Sequence, residues 1–136
     1  MQEKSELAER ILDQLADAVI CVNHSGTIIR WNHASRTLFG YSTEEALGQS
    51  VDLIIPDHLR AAHWSGFNTA MANGVTKLQG RPTLTRALHR SGQRLYVEMS
   101  FAIVKGDTDD NVLGAVAVAR DVTERVARER AAKRSS

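Results

Sequence analysis

The residue in this 136-residue chain best placed to do chemistry is a histidine, His63, in the stretch LIIPDHLRAAHWSGFNTAMANGVTKLQGR from Leu53 to Arg81. Leu59, His63, Phe67 and Met71 recur every four residues, so on a helix they share one face. An imidazole on an apolar helix face is either a buried group with a local partner or a ligand. The other histidines are set differently. His24 and His89 fall in turn sequences, and His33 follows a helix cap. His58 stands five residues before His63, which is not the i,i+4 spacing of a helical zinc clip. The acid pairs Glu44–Glu45 and Asp109–Asp110 sit at a helix start and a loop tip, where solvation accounts for them. The single cysteine, Cys21, excludes an internal disulfide and a multi-thiolate metal site. No phosphate-cradling glycine loop occurs, and no serine or cysteine has a base partner in its sequence context. The chain carries no catalytic constellation.

The elements that must position His63 follow from periodicity and punctuation. An amphipathic helix is expected over residues 3 to 17, with Leu7, Ile11 and Leu15 in register, Leu12 beside them and Ser5 as its N-cap. It either covers the core or pairs with a second copy of itself. Ala18–Val22 and Thr27–Trp31 read as two strands joined by Asn23-His24-Ser25-Gly26. Asn32 caps a short helix that ends at Gly40. Ser42 and Glu45 form a capping box for the next helix, which stops at Gly48. Val51–Ile55 is an apolar connector, and Pro56-Asp57 open the His63 helix, which closes at Asn73-Gly74. Three strands follow, over Thr83–Leu88, Gln93–Val104 and Val112–Ala119, the last apolar enough to be buried on both faces. A loop of aspartates, Gly106–Asp110, separates the last two. A charged helix from Asp121 to Lys133, with a frayed tail, ends the chain.

The order gives an α+β domain: a five-stranded antiparallel sheet with short helices on one face and flanking N- and C-terminal helices. The organisation is residues 1–17 as the first helix, 18–121 as the domain proper and 122–136 as an exit helix or linker. A 43% apolar fraction suffices for a real core. A net charge of +1 gives no electrostatic reason to propose nucleic acid. No apolar run approaches a membrane span, and the charged N-terminus is unlike a signal peptide, so a cytoplasmic protein is expected. The charged helical ends look cut from something longer.

Several strings resemble the PAS domain, a sensory module of signal transduction: ADAVICVNHSGTIIRWN at 16–32, LFGYSTEEALGQSV at 38–51, HRSGQRLYVEMS at 89–100 and RDVTER at 120–125. IPDHLRAAH at 55–63 is similar to the corresponding helix of haem-binding PAS domains of the direct oxygen-sensor phosphodiesterase kind. The resemblance implies haem b, with His63 as the iron ligand. It places Gly80-Arg81 where FixL-type oxygen-sensing kinases carry their distal arginine, so Arg81 would donate hydrogen bonds to bound O₂. Met99 and Phe101 fall on the family's distal lining, with Met99 alternatively a sixth ligand. Arg60, Lys77 or His58 would meet the propionates. Trp64 departs from the family's pattern and is expected to pack on the outside of the helix. The implied protein is a non-enzymatic regulatory sensor of O₂, CO or NO, homodimeric, without nucleic-acid or membrane partners, and coupled to an output domain outside the chain. The alternative is a haem-free PAS module for dimerisation or small-metabolite sensing. Light-sensing flavin chemistry needs a cysteine near a short central helix, and Cys21 lies on the first strand.

Overall fold

The computed structural model describes residues 2–108 and 111–135. Helix α1, Gln2–Gln14, leads into strand β1, Ala18–Asn23, and β2, Ile28–Trp31. Helices α2, His33–Phe39, and α3, Thr43–Ala46, precede a single 3-10 turn, Val51–Ile54. Helix α4, Asp57–Asn73, carries His63. Strands β3, Thr83–Leu88, β4, Arg94–Lys105, and β5, Val112–Asp121, complete the sheet, and α5, Thr123–Ser135, leaves it.

The five strands lie in the order β2-β1-β5-β4-β3, every pair antiparallel, so the last strand in sequence is the middle one in space. Register aligns Ile20 with Ala117 and Phe101, and Val22 with Ala115 and Ile103. Side chains alternate across a strand, so these residues share the inner face with Ala18, Ala119 and Met99. On this face the core forms, around the fully buried Phe39, Ile20, Ile28 and Val97.

The expected elements all form, with adjustments that have local causes. Asn32 and Ser42 cap their helices as expected, and the Ser42–Glu45 capping box is closed in both directions. Helix α1 already runs from Gln2, so Ser5 lies inside its first turns rather than capping it, and it ends at Gln14 rather than at 17. The connector after Ser50 tightens into the 3-10 turn because the Ser50 hydroxyl accepts the Asp52 N–H. Strand β5 is not buried on both faces: Val116 and Val118 point away from α4 and stay half-covered, and Leu113 is 47% exposed. The short helices cover one side of the sheet only. Helix α5 continues to Ser135. Asp109 and Asp110, expected in the loop before β5, lie outside the described residues.

Candidate functional site

Helix α4 starts where Pro56 fixes an extended N-cap and Asp57 places a carboxylate in the first turn. It stops at Gly74, in the left-handed conformation at φ 73°, whose N–H bonds Ala70 O. Between these ends Leu59, His63, Trp64, Phe67, Ala70 and Met71 form a half-buried stripe, and no residue of the helix is fully buried. The helix therefore lies on the sheet without being locked into it by large buried side chains.

His63 lies in this stripe. Its ring stands edge-on to Trp64, centroids 4.9 Å apart at 78°, and near-parallel to Phe67 at 6.1 Å and 24°. Its Nδ1 is buried with no hydrogen-bond partner, the one such side-chain atom among the described residues. Removal from water pushes the imidazole below its ordinary pKa, and the nearby Asp52 carboxylate opposes that. His63 is thus favoured neutral, with an unfilled nitrogen in an apolar setting. That is the state in which imidazole binds a metal. An orphaned buried nitrogen is costly unless something fills it.

Across from α4 the sheet presents Met99, 6% exposed, and the half-buried Phe101. Between them and β1 runs a strip that only register reveals. Ala115, Ala117 and Ala119 are the inward residues of β5, so the middle of the sheet is floored by methyl groups. Of the residues expected to line the site, Phe67 and Phe101 pack against the core that holds Met99, Leu59 and His63 lie half-buried on α4, and Met71 lines a cleft at the end of that helix.

Arg81 is not gathered with them. It is exposed, just before β3, and its Nε–H donates to Leu78 O at 3.1 Å within its own loop. Gln79 and Gly80 next to it both have left-handed backbones, φ 52° and 83°. Of the expected propionate partners, Arg60 is tied to Asp57 at 2.7 Å and to Ile55 O at 3.0 Å, while His58 and Lys77 are exposed. Between helix and sheet, where a ligand would have to lie, Trp64, Phe67, Phe101 and Ile103 rest against the core. Clefts of about 420, 380 and 370 Å³ open elsewhere, beside α1 and at the end of α4, and His63 lines none of them.

Trp64 is the clearest correction. It packs inward, against the core. Its indole N–H donates to Asp52 Oδ1 at 2.8 Å, and its six-membered ring lies on Gly26 of the β1–β2 turn. Neither Asp52 nor Gly26 was singled out from the sequence as a site residue. No periodicity joins positions 26, 52 and 64. Cys21 lies on the outer face of the sheet, near Arg30 and Glu9, and burial pushes its thiol pKa up. Of the other histidines, His24 meets Val112 O of β5, while His33 Nδ1 meets Arg36 at 2.7 Å and His89 Nδ1 meets Ser91 at 3.0 Å within their own segments.

Comparison with known proteins follows the geometry. The family model described as PAS domain matches residues 16–124. Over 96% of its length the chain is 30% identical to an uncharacterised protein of Azorhizobium caulinodans. It is 25% identical over 118 residues, 87% of the chain, to the oxygen sensor protein DosP of Escherichia coli. It is 27% identical over 114 residues, 84% of the chain, to the sensor protein FixL of Bradyrhizobium diazoefficiens. The matches span 18%, 14% and 22% of those relatives, so the chain corresponds to less than a quarter of each. Among solved structures, a PAS domain from Colwellia psychrerythraea superposes with a TM-score of 0.76 at 26% identity, covering 89% of this chain and 98% of that one. An RNA-binding light-oxygen-voltage receptor superposes at 0.72 and 24% identity over 92% of this chain and 35% of its own, a likeness of fold.

Proposed function

The chain belongs to the PAS domain family, and on that premise we propose that it is the sensory domain of a larger signalling protein, holding haem b through His63 and responding to O₂ or to CO or NO. The observation that carries this reading is the unpartnered, buried Nδ1 of a histidine kept neutral by burial on the inner face of α4. The donor set fits an iron ligand of this kind. When bound, haem iron supplies a reversible site for a diatomic gas.

This chain's residues do the rest. His63 would hold the iron through an imidazole lone pair. Leu59, Phe67 and Met71 from α4, with Met99 and Phe101 from β4, keep water away. The alanine floor of β5 leaves depth beneath them. Helix α4 has no fully buried residue, but admitting a planar group would have to displace Phe67 from the core while Trp64 keeps its seat. Arg81, after a loop with two left-handed residues, would have to give up its bond to Leu78 O and turn inward to supply hydrogen-bond donors. Met99 already faces inward as an alternative distal residue. The way out is built into the sheet. Val122 N–H donates to Tyr96 O at 2.9 Å and Thr123 Oγ accepts from Tyr96 N–H at 3.0 Å, so a displacement of β4 reaches α5 and a downstream output domain. Among the described residues no helix is long and apolar enough to cross a membrane. A cytoplasmic setting belongs to the same proposal.

The test is a haem titration followed by absorbance. A Soret band that is lost or shifted in His63→Ala supports the assignment; no band, or the same band in that variant, sinks it. A second reading has its own observation. Leu7 and Ile11 on α1 and Leu15 just after it are 58%, 51% and 44% exposed, an apolar stripe wanting a partner. In that reading the chain is a haem-free module that dimerises through α1. A colourless protein whose dimer dissociates on deletion of residues 1–17 favours it.

A further inference from the structure

A histidine that ligates a metal ordinarily donates its other ring N–H to a carbonyl or carboxylate, and that bond fixes the plane of the ring. His63 has no such bond: Nδ1, the nitrogen offered to the metal, is unpartnered, and no described residue hydrogen-bonds the other ring nitrogen. We propose that Trp64 is the positioning residue that takes its place, orienting His63 by packing from a seat made by Asp52 and Gly26. The inference rests on the reading of His63 as a ligand.

The geometry has three parts. First, His63 is bracketed by rings, Trp64 edge-on at 4.9 Å and Phe67 near-parallel at 6.1 Å. Trp64 and Phe67 also meet each other edge-on at 5.3 Å, so the two walls brace one another. Second, Trp64 cannot swing away without loss. Its indole N–H is bonded to Asp52 Oδ1 at 2.8 Å. The far edge of the indole occupies the room left by the missing side chain of Gly26, where a Cβ would overlap the ring. At φ 78° that position favours glycine for the backbone as well. Third, the seat is itself rigid. Val51 N–H donates to Gly26 O at 3.1 Å, Ile28 N–H to Gln49 O at 2.8 Å, and Thr27 bridges Ser50. The segment bearing Asp52 is thus stitched to the turn bearing Gly26. Arg60 adds a bond to Asp52 O at 3.2 Å from one helical turn before Trp64. A ring held between walls is aimed without being polarised. His63 therefore acts as a plain neutral imidazole rather than one made more basic by a hydrogen-bonded partner.

The experiment has a haem-free arm and a haem arm, so the two ideas fail separately. Without haem, the indole N–H resonances of Trp31 and Trp64 are assigned by NMR and their solvent exchange is measured. Trp64 is expected to be protected, to lose protection in Asp52→Leu and to keep it in Asp52→Asn, which retains an acceptor. A Trp64 indole that exchanges freely in the unmodified chain overturns the seat. With haem, Trp64→Phe and Asp52→Leu are expected to weaken binding by about tenfold, the low end for loss of a ligand-orienting partner. Both are then remade in His63→Gly supplemented with free imidazole, which needs no orienting. There the effect of either change is expected to vanish. Equal weakening in both backgrounds makes Trp64 merely structural and overturns the proposal, as does no weakening in either. If His63→Gly without imidazole binds haem as well as the unmodified chain, the ligand reading falls and this inference with it. Should Trp64→Phe fold poorly, the Asp52→Leu and Asp52→Asn pair carries the test alone.

Discussion

Asn32 offers the sharpest test of how this fold couples its N-terminal helix to the sensor. It is 4% exposed and its amide is fully engaged. Oδ1 accepts from Val19 N–H at 2.8 Å, Ser35 N–H at 3.1 Å and Ser35 Oγ at 2.8 Å. Nδ2 donates to Leu12 O at 2.7 Å and Asp17 O at 3.1 Å. One side chain thus caps α2, holds β1 and closes the end of α1. In Asn32→Ala the lost cap costs about 1 kcal/mol. Leaving the buried N–H groups of Val19 and Ser35 unpaired costs about 1–3 kcal/mol more. The terms overlap, so a loss of about 2–4 kcal/mol is expected, or a drop in Tm of roughly 10 °C for a domain of this size. Asn32→Asp separates the two jobs. The carboxylate keeps the acceptor for Val19 and Ser35 but turns an oxygen toward the carbonyls of Leu12 and Asp17. Helix α1 is then expected to detach while the sheet holds. Urea unfolding followed by circular dichroism measures the first effect. Hydrogen exchange resolved by mass spectrometry measures the second, as fast exchange over residues 2–14 beside unchanged protection of β1 and β5. Asn32→Ala within about 0.5 kcal/mol of the unmodified chain, or α1 equally protected in Asn32→Asp, would refute the reasoning.

At Gly114 a Cβ would overlap Val22 O, so Gly114→Ala must push β1 from β5; a loss of at least ~1–3 kcal/mol is expected in urea unfolding, against a gain of about 0.5–1 kcal/mol for Gly66→Ala, in mid-helix with nothing near. The Glu45 carboxylate is held below its ordinary pKa near 4.5, first by the Ser42 backbone N–H, then by the Ser42 hydroxyl and by Arg90. A depressed folded-state value means the unfolded chain takes up the proton first. The stabilisation is complete above the ordinary value and is lost as pH falls through the lowered one. Glu45→Gln should flatten that part of the Tm-against-pH curve, and an unchanged slope would show that the capping box contributes nothing measurable.

The sequence by itself determined what is local. Asn32, Ser42, Gly40 and Gly74 start and stop helices through bonds within a few residues, so their effects need no fold to be foreseen. Alternation groups strand residues by face but does not say which face is inward. The four-residue spacing of Leu59, His63, Phe67 and Met71 placed them on one face of α4, where the structure has them. Where α1 ends and whether β5 is covered were misjudged for one reason: both depend on what the rest of the chain packs against them. What only the tertiary structure decided is long-range. It put β5 in the middle of the sheet and so made Ala115, Ala117 and Ala119 a floor. It left Arg81 on the surface, bonded to its own loop. It brought Asp52 and Gly26 to Trp64, turning a residue expected on the outside of the helix into a wall of the His63 site. Hydrogen bonds and ring packing act over a few ångströms, whereas these partners are separated by 12 and 38 positions in sequence. Only chain topology closes that gap.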